Sequence, residues 1–580
     1  MDHCEGDHYE TTATAFTRKR NSECNRHPIH AQTHHHHRRR SHGSGDHHHH
    51  VPLGSAAKIG EAIERNRIER LNATITNIYT TAYQQDADAT LIANRDKATA
   101  TLDDPFTAVN PYGTNTTSMY VYFTTSEAAS VSYTVHAEGY PDFTATANQG
   151  KDYATTHEFI VLGLIPRTTN TITLKLTDAS GSTVATGQIT CKGPKLLGDE
   201  EIQLEQKRTP TSAATQSVGN GLYAILGNDS NDQDFMYYYD VNGVIRGEIP
   251  VKYYRSHRLL FDDNGLMWFS ASTHTMVGMN RLGKLEKILD LDDQFILHHD
   301  YVLDSDGNLV LLATDLTRSD HAVQDQVVKL DTTTGKTTLL LDLGTMFPDY
   351  KSTTTHSGID ESDTSAKGRW DWIHCNTIQL LDDGSAILSA RETSTIIKVT
   401  DIEGTPKLQY MIGEPSVWNG TQYTASFLTR NGDFGDTGGQ HSVTYSTDDS
   451  LESGSYYLTL FDNSFGYAMT RPDYDWTTIK GLSTSQSATD AGSRSRLRKY
   501  LVNENDGTYT EVNSFKVPYS PYVSSVQEID DDLNLVDSGM QGLFGIYDSD
   551  GTLQAQYAMK LATSYIYRVY LYDFQGFYFA

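Results

Sequence analysis

From Ala56 to about Asp96 apolar residues recur at helical steps, with Ile59, Ile63, Ile68, Leu71, Ile75 and Ile78 set among Glu, Arg and Asn. The pattern predicts an amphipathic arm over residues 56–100 whose apolar stripe needs a surface to pack on. After "DDPF" the period shortens to two. "SMYVYFTTS", "ASVSYTVHAEG", "HEFIVLGL", "NTITLKLTD" and "GSTVATGQIT" are short β-rich segments broken by turn residues, and they predict a small β-sandwich over 101–195. Residues 196–214 read as a linker. From 215 to 580 the chain is again β-rich, with almost no helical period.

This last region repeats a turn. Acidic or polar turns end in Gly at 243, 265, 283, 307, 335, 384, 404, 507 and 551, where tight hairpins need a positive φ. They fall into two alternating kinds. One joins segments such as "VVKLDTTTGKTTLLLDL"; the other, at Gly265, Gly307 and Gly384, follows segments with His at or near their start. Two further inner turns, near "STDDSLESGS" and "DDDLNL", are inferred from position, and a sixth inner hairpin is expected where the two ends of the region meet. Six outer hairpins alternating with inner ones predict an all-β fold, a six-bladed β-propeller following the N-terminal sandwich and helix. A pair of β-sandwiches would supply the strands but not the alternation.

Composition narrows the partners. The chain carries 46 Lys+Arg against 74 Asp+Glu, a surface that repels phosphate backbones, so no nucleic-acid partner is expected. No run of 18 apolar residues offers a membrane span. Residues 1–55 hold 13 of the 23 histidines, in runs such as His34–His37 and His47–His50, and "VPLGS"; they read as an expression tag in preference to a metal-buffering arm. Two of the four cysteines, Cys4 and Cys24, lie there, so Cys191 and Cys375 make no disulfide framework.

Ten histidines remain outside the tag, and half stand at equivalent strand starts: His257, His298, His299, His374 and His441. In a propeller those starts gather at one channel mouth, joined by Tyr522 to Ser524 and by Arg568. The hairpin "RWDWIHCNTIQLLDDGSAILSARETS" adds an arginine. If Asp383-Gly384 is a two-residue turn, Arg391 faces Asn376, with His374 on the same face; moving the turn back one residue sets Arg391 opposite His374. Neutral imidazoles and a guanidinium suit an oxyanion, and imidazole can attack an electrophilic centre or move a proton. An anionic ester of phosphorus or sulfur fits. A three-histidine metal site is opposed by the neighbouring arginine and by the lack of HExxH, and neither metal nor other cofactor is expected. A passive anion-binding channel stays open.

The segments "DWIHCNTIQLLDDGSAILSARETSTIIKV", "LHHDYVLDSDGNLVLLATD" and "GGQHSVTY" resemble the bacterial arylsulfate sulfotransferase family. The resemblance implies a propeller enzyme that moves a sulfuryl group from a phenolic sulfate ester to a phenol acceptor by a ping-pong route, without a nucleotide donor. It implies His441 as the transiently sulfurylated residue, and His374, Asn376 and Arg391 as partners that bind sulfuryl oxygens and assist proton transfer. His298 or His299 fills the "HHD" position, and Ser524 is the candidate for a fifth-blade polar contact; His257 and Arg568 join as substrate-binding candidates from register. Trp370, Trp372 and Tyr474, on aromatic-rich loops, are candidates to stack on phenol rings. The family implies an exported bacterial protein, periplasmic, cell-surface or secreted, and the arm is expected to pack across a homodimer. A sulfatase- or phosphatase-like hydrolase using the same histidine, and a non-enzymatic anion-binding propeller, are the rival readings.

Overall fold

A computed structural model describes residues 53–355 and 369–580; the expected tag lies almost wholly outside them. The arm forms two helices, α1 (Leu53–Ile78) and α2 (Thr81–Arg95). They part at Thr80, whose hydroxyl accepts the Tyr83 N–H and caps α2. Among residues Arg70–Ala580, which form one compact unit, the apolar stripe Ile75, Ile78, Tyr79 and Leu91 is buried in the main core. The Gln84 amide donates to the Ile78 and Tyr112 carbonyls and its oxygen accepts the Leu285 N–H, while Asp88 pairs with Lys284 at 3.0 Å. From Arg70 onward the chain itself covers this stripe.

The small β-domain turns on one long strand, Met119–His136. Its first half pairs with Phe106–Val109 and Ala154–Val161, its second with Phe143–Thr146 and Thr169–Thr177. An irregularity between Thr124 and Ala129 marks the change, so one strand serves two sheets. Beyond it Val131, Tyr133 and Val135 alternate inward as the period-two pattern requires.

The rest is a series of six sheets of four or five strands. Six edge strands, one from each sheet, are β1 (Leu260–Phe261), β2 (Phe295–Leu303), β3 (Cys375–Leu380), β4 (His441–Ser446), β5 (Ser525–Glu528) and β6 (Arg568–Tyr572). β2 lies against β3, β3 against β4, β4 against β5 and β5 against β6. β6, from the C-terminus, pairs with Leu222–Leu226 near the start of the region. Glu205–Arg208 pairs with Leu553–Ala558 on the outer edge of another sheet. The stretch 196–214 is thus not a plain linker; its four-residue polar strand is too short and too exposed to show a period.

The β3 hairpin corrects the predicted register. Leu380 pairs with Ala386 and Thr377 with Ser389, so three residues, Asp382-Asp383-Gly384, lie between the Leu381–Ser385 pair. Cys375 then pairs with Ala390, leaving Asn376 as a bulge. The Arg391 N–H donates to the His374 carbonyl at 3.0 Å. Arg391 therefore stands opposite His374, not Asn376.

Candidate active site

Irregular backbone places the side chains. In β2 the register skips between Leu297 and Tyr301, which bulges His298, His299 and Asp300 out of the ladder. In β4 it skips between His441 and Thr444. His299 (φ 52°), His374 (φ 52°), Ser442 (φ 56°) and Val523 (φ 53°) all sit in the left-handed region. Such backbone costs about 1–3 kcal/mol per non-glycine residue, and it turns each strand start sharply enough to aim its side chain away from the sheet. Period-two counting cannot see this device.

His441 is buried, and its Nδ1 lies 2.8 Å from Asn463 Oδ1. The amide orientation is fixed, because Asn463 Nδ2 donates to the carbonyls of Ser520 (2.8 Å) and Val523 (2.9 Å). Oδ1 can only accept, so Nδ1 carries the proton and Nε2 the lone pair. The preceding residue, Gln440, gives its carbonyl to Asn376 Nδ2 at 2.8 Å and its own amide to Ser389, Ala390 and Thr395. A Cβ on Gly439 would stand 3.9 Å from Arg391 Cγ. The His441 loop, Asn376 and the Arg391 stem are therefore neighbours.

His374 Nδ1 is hydrogen-bonded to the Asp371 carboxylate. Burial opposes charge on Asp371, but His374, Arg391 and Arg369 outweigh it and hold the carboxyl below its usual range. The Arg391 guanidinium lies 3.1 Å from Glu392 and 4.0 Å from Asp371, with the Tyr522 ring 5.7 Å away.

The remaining histidines form a buried group. The His299 ring centre is 4.6 Å from that of His374, 6.5 Å from His257 and 5.7 Å from Tyr567. His298 stands behind it, the two Nδ1 atoms 2.9 Å apart and so sharing one proton. Burial pushes His257 far below the usual histidine value, helped by Arg255 and Arg568; burial does the same to His299, helped by His374, His298 and Arg255. Both rings are neutral at physiological pH. Among the described residues no group of three or more His, Cys, Asp or Glu side chains is arranged to hold a metal ion.

Five of the candidate residues have partners within the fold. Arg568 is fully buried, its guanidinium 2.8 Å from Asp300 and donating to the carbonyls of His257 and Asn376, contacts that tie strand starts together. Ser524 donates to Ser520 Oγ at 2.8 Å and accepts the Gly539 N–H at 3.0 Å, which commits it to its own turn. Trp372 is a core residue, its indole N–H on Asp325 at 2.9 Å. Trp370 donates to Thr354 and Tyr474 is bonded to Ser416, so both serve loop packing.

Sequence reading missed Asn463, Asp371, Asp300, Arg255 and Tyr567. Asp371 and Asp300 stood inside the quoted segments, and Asn463 lies two residues beyond Phe461, the partner of His441. Arg255 is packed among Tyr254, Tyr565 and Tyr567, 4.1 Å from the last ring centre. Only the three-dimensional arrangement reveals that cage.

No curated protein matches the chain. Solved structures resemble it loosely. They include a protein of unknown function from Bacteroides caccae (10% identity, 61% of this chain and 99% of that one, TM-score 0.35). A catalytically inactive virginiamycin B lyase from Staphylococcus aureus aligns at 11% identity over 62% of this chain and 89% of that one, TM-score 0.30. Regucalcin from Agrobacterium tumefaciens aligns at 14% identity over 52% and 74%, TM-score 0.27. Family models are far more specific: residues 106–192 match the Arylsulfotransferase Ig-like domain and residues 207–568 match Arylsulfotransferase (ASST). The long two-sheet strand falls within the first match and His257, His298, His299, His374 and His441 within the second, and this chain belongs to the arylsulfotransferase family.

Proposed function

We propose that the chain is an arylsulfate sulfotransferase working from the mouth of a six-bladed β-propeller, passing a sulfuryl group from a phenolic sulfate ester to a phenol through sulfohistidine at His441. The observation that carries this is the locked Asn463 amide, which gives His441 an Nε2 lone pair beside the Arg391 and Asn376 neighbourhood. Six sheets, the edge strands β2 to β6 of five of them lying one against the next, with β6 from the C-terminus pairing with Leu222–Leu226 near the start of the region, support the propeller reading.

In this reading Arg391, kept charged beside Glu392, grips the sulfuryl oxygens and gains most where negative charge builds up in transfer; a donor of that kind typically contributes on the order of a hundredfold in rate. Neutral His257 and His299 add polarity without repelling the guanidinium. Their buried surroundings exclude water, which favours a phenol over hydrolysis as the fate of the adduct. His374 moves the proton between ring nitrogen and phenol oxygen.

Intact-mass measurement after mixing the protein with an aryl sulfate alone tests the proposal. A gain of one sulfuryl group that vanishes in His441→Ala and is discharged by added phenol is expected. An adduct that persists in His441→Ala would overturn it.

A further inference from the structure

We infer that Asp371 and Asn463 are positioning residues that divide the chemistry between two histidines held in the same way: Asn463 keeps His441 a neutral nucleophile, and Asp371 makes His374 the proton carrier. This rests on the sulfotransferase reading above and deepens it. Both rings are buried and both are held through Nδ1, one by a neutral amide and one by a carboxylate. That single difference decides what each ring can do. An amide oxygen accepts the Nδ1 proton but adds no net charge, so the ring stays neutral with its second nitrogen unprotonated; a carboxylate favours the doubly protonated ring. The charged and titratable groups around His374 among the described residues include Asp371, Arg369, Arg391, Glu392 and His299. Asp371 is hydrogen-bonded to the ring.

The two half-reactions balance on this division. In the first, His441 Nε2 forms a bond to sulfur, the bond between sulfur and the aryl oxygen breaks, and its electron pair leaves on the phenol oxygen. Protonated His374 gives that oxygen its proton and becomes neutral, while Asn463 Oδ1 holds the N–H of the sulfurylated, cationic imidazole. In the second, His374 takes the proton of the acceptor phenol, whose oxygen bonds to sulfur. The N–S pair then returns to His441 Nε2. A neutral amide leaves the cationic adduct reactive; a carboxylate in its place would stabilise it.

Two variants of the full chain test this, with phenol release followed in the pre-steady state. A proton donor matters only for a leaving group that is a poor one. In Asp371→Asn, release from an alkyl-substituted phenyl sulfate is expected to fall at least about tenfold more than release from 4-nitrophenyl sulfate, and Asp371→Glu is expected to restore the ratio. An equal loss for both donors would assign Asp371 a structural role only and overturn its part. In Asn463→Asp the acidic limb of the pH–rate profile is expected to move up by at least about one unit, while Asn463→Ala lowers the rate without moving the limb. An unshifted limb in Asn463→Asp would overturn the assignment of Asn463. If the unaltered protein releases no phenol from either ester, the transferase reading itself fails; turnover in the unaltered protein with unchanged profiles in the variants refutes only the division of roles.

Discussion

Asp300 neutralises one buried and one half-buried arginine, and replacing it by its uncharged isostere measures what the strand starts depend on. Its carboxylate is wholly buried, 2.8 Å from Arg568 and 3.0 Å from Arg258, and it accepts the Ile378 N–H at 3.1 Å. Arg568 has a side-chain exposure of 1%, so it cannot recover its hydration when the charge opposite is removed; Arg258, at 16%, partly can. Losing one partner of a buried pair costs about 3–5 kcal/mol, because the other charge is left uncompensated. Counting Arg568 in full and discounting Arg258, Asp300→Asn should destabilise the protein by about 4 kcal/mol, a large share of the roughly 5–15 kcal/mol of a typical domain. Urea unfolding followed by tryptophan fluorescence and by proteolysis reads the loss. The double variant Asp300→Asn with Arg568→Met removes the stranded charge as well and should recover about 2 kcal/mol of it. A single variant within about 1 kcal/mol of the parent, or a double variant as unstable as the sum of its parts, would refute the view that Asp300 acts by neutralising these arginines.

Two other outcomes are expected. Arg391→Lys keeps a positive charge but loses the planar fork, so kcat/KM for an aryl sulfate should fall by about one to two orders of magnitude and by more in Arg391→Ala, as steady-state assays would show; parity of the lysine variant with the parent would contradict a geometric role. In the small β-domain His157 is buried, stacked on Phe123 and bonded to Gln149 and Thr125, and burial pushes its pKa down to about 4. The neutral ring is the one that fits, so the stability it contributes is complete above the unfolded value near 6.5 and is lost as pH falls towards 4. A thermal scan series from pH 7 to pH 4 should show this loss in the parent and less of it in His157→Gln.

The division between sequence and tertiary structure is clear in the β3 hairpin. Alternating apolar residues and an Asp-Gly turn were enough to predict a hairpin with His374 and Arg391 near each other, because local steric preferences and period two operate within a few residues. Pairing Arg391 with Asn376 failed because a third turn residue and a bulge each shift the ladder by one, and a bulge is stabilised by contacts from elsewhere. The same reason hid the partners of the histidines. Asn463 reaches His441 from 22 residues away and is itself oriented by carbonyls of Ser520 and Val523, some 60 residues further on. The fate of Arg568 depended on Asp300, 268 residues earlier in the chain. Strand rhythm and turn chemistry by themselves determined the β-rich series and gathered its histidines at strand starts. Which ring became neutral, which faced a carboxylate and which arginine was spent on structure were decided only when distant strands met, since protonation and charge pairing depend on what surrounds a group in space.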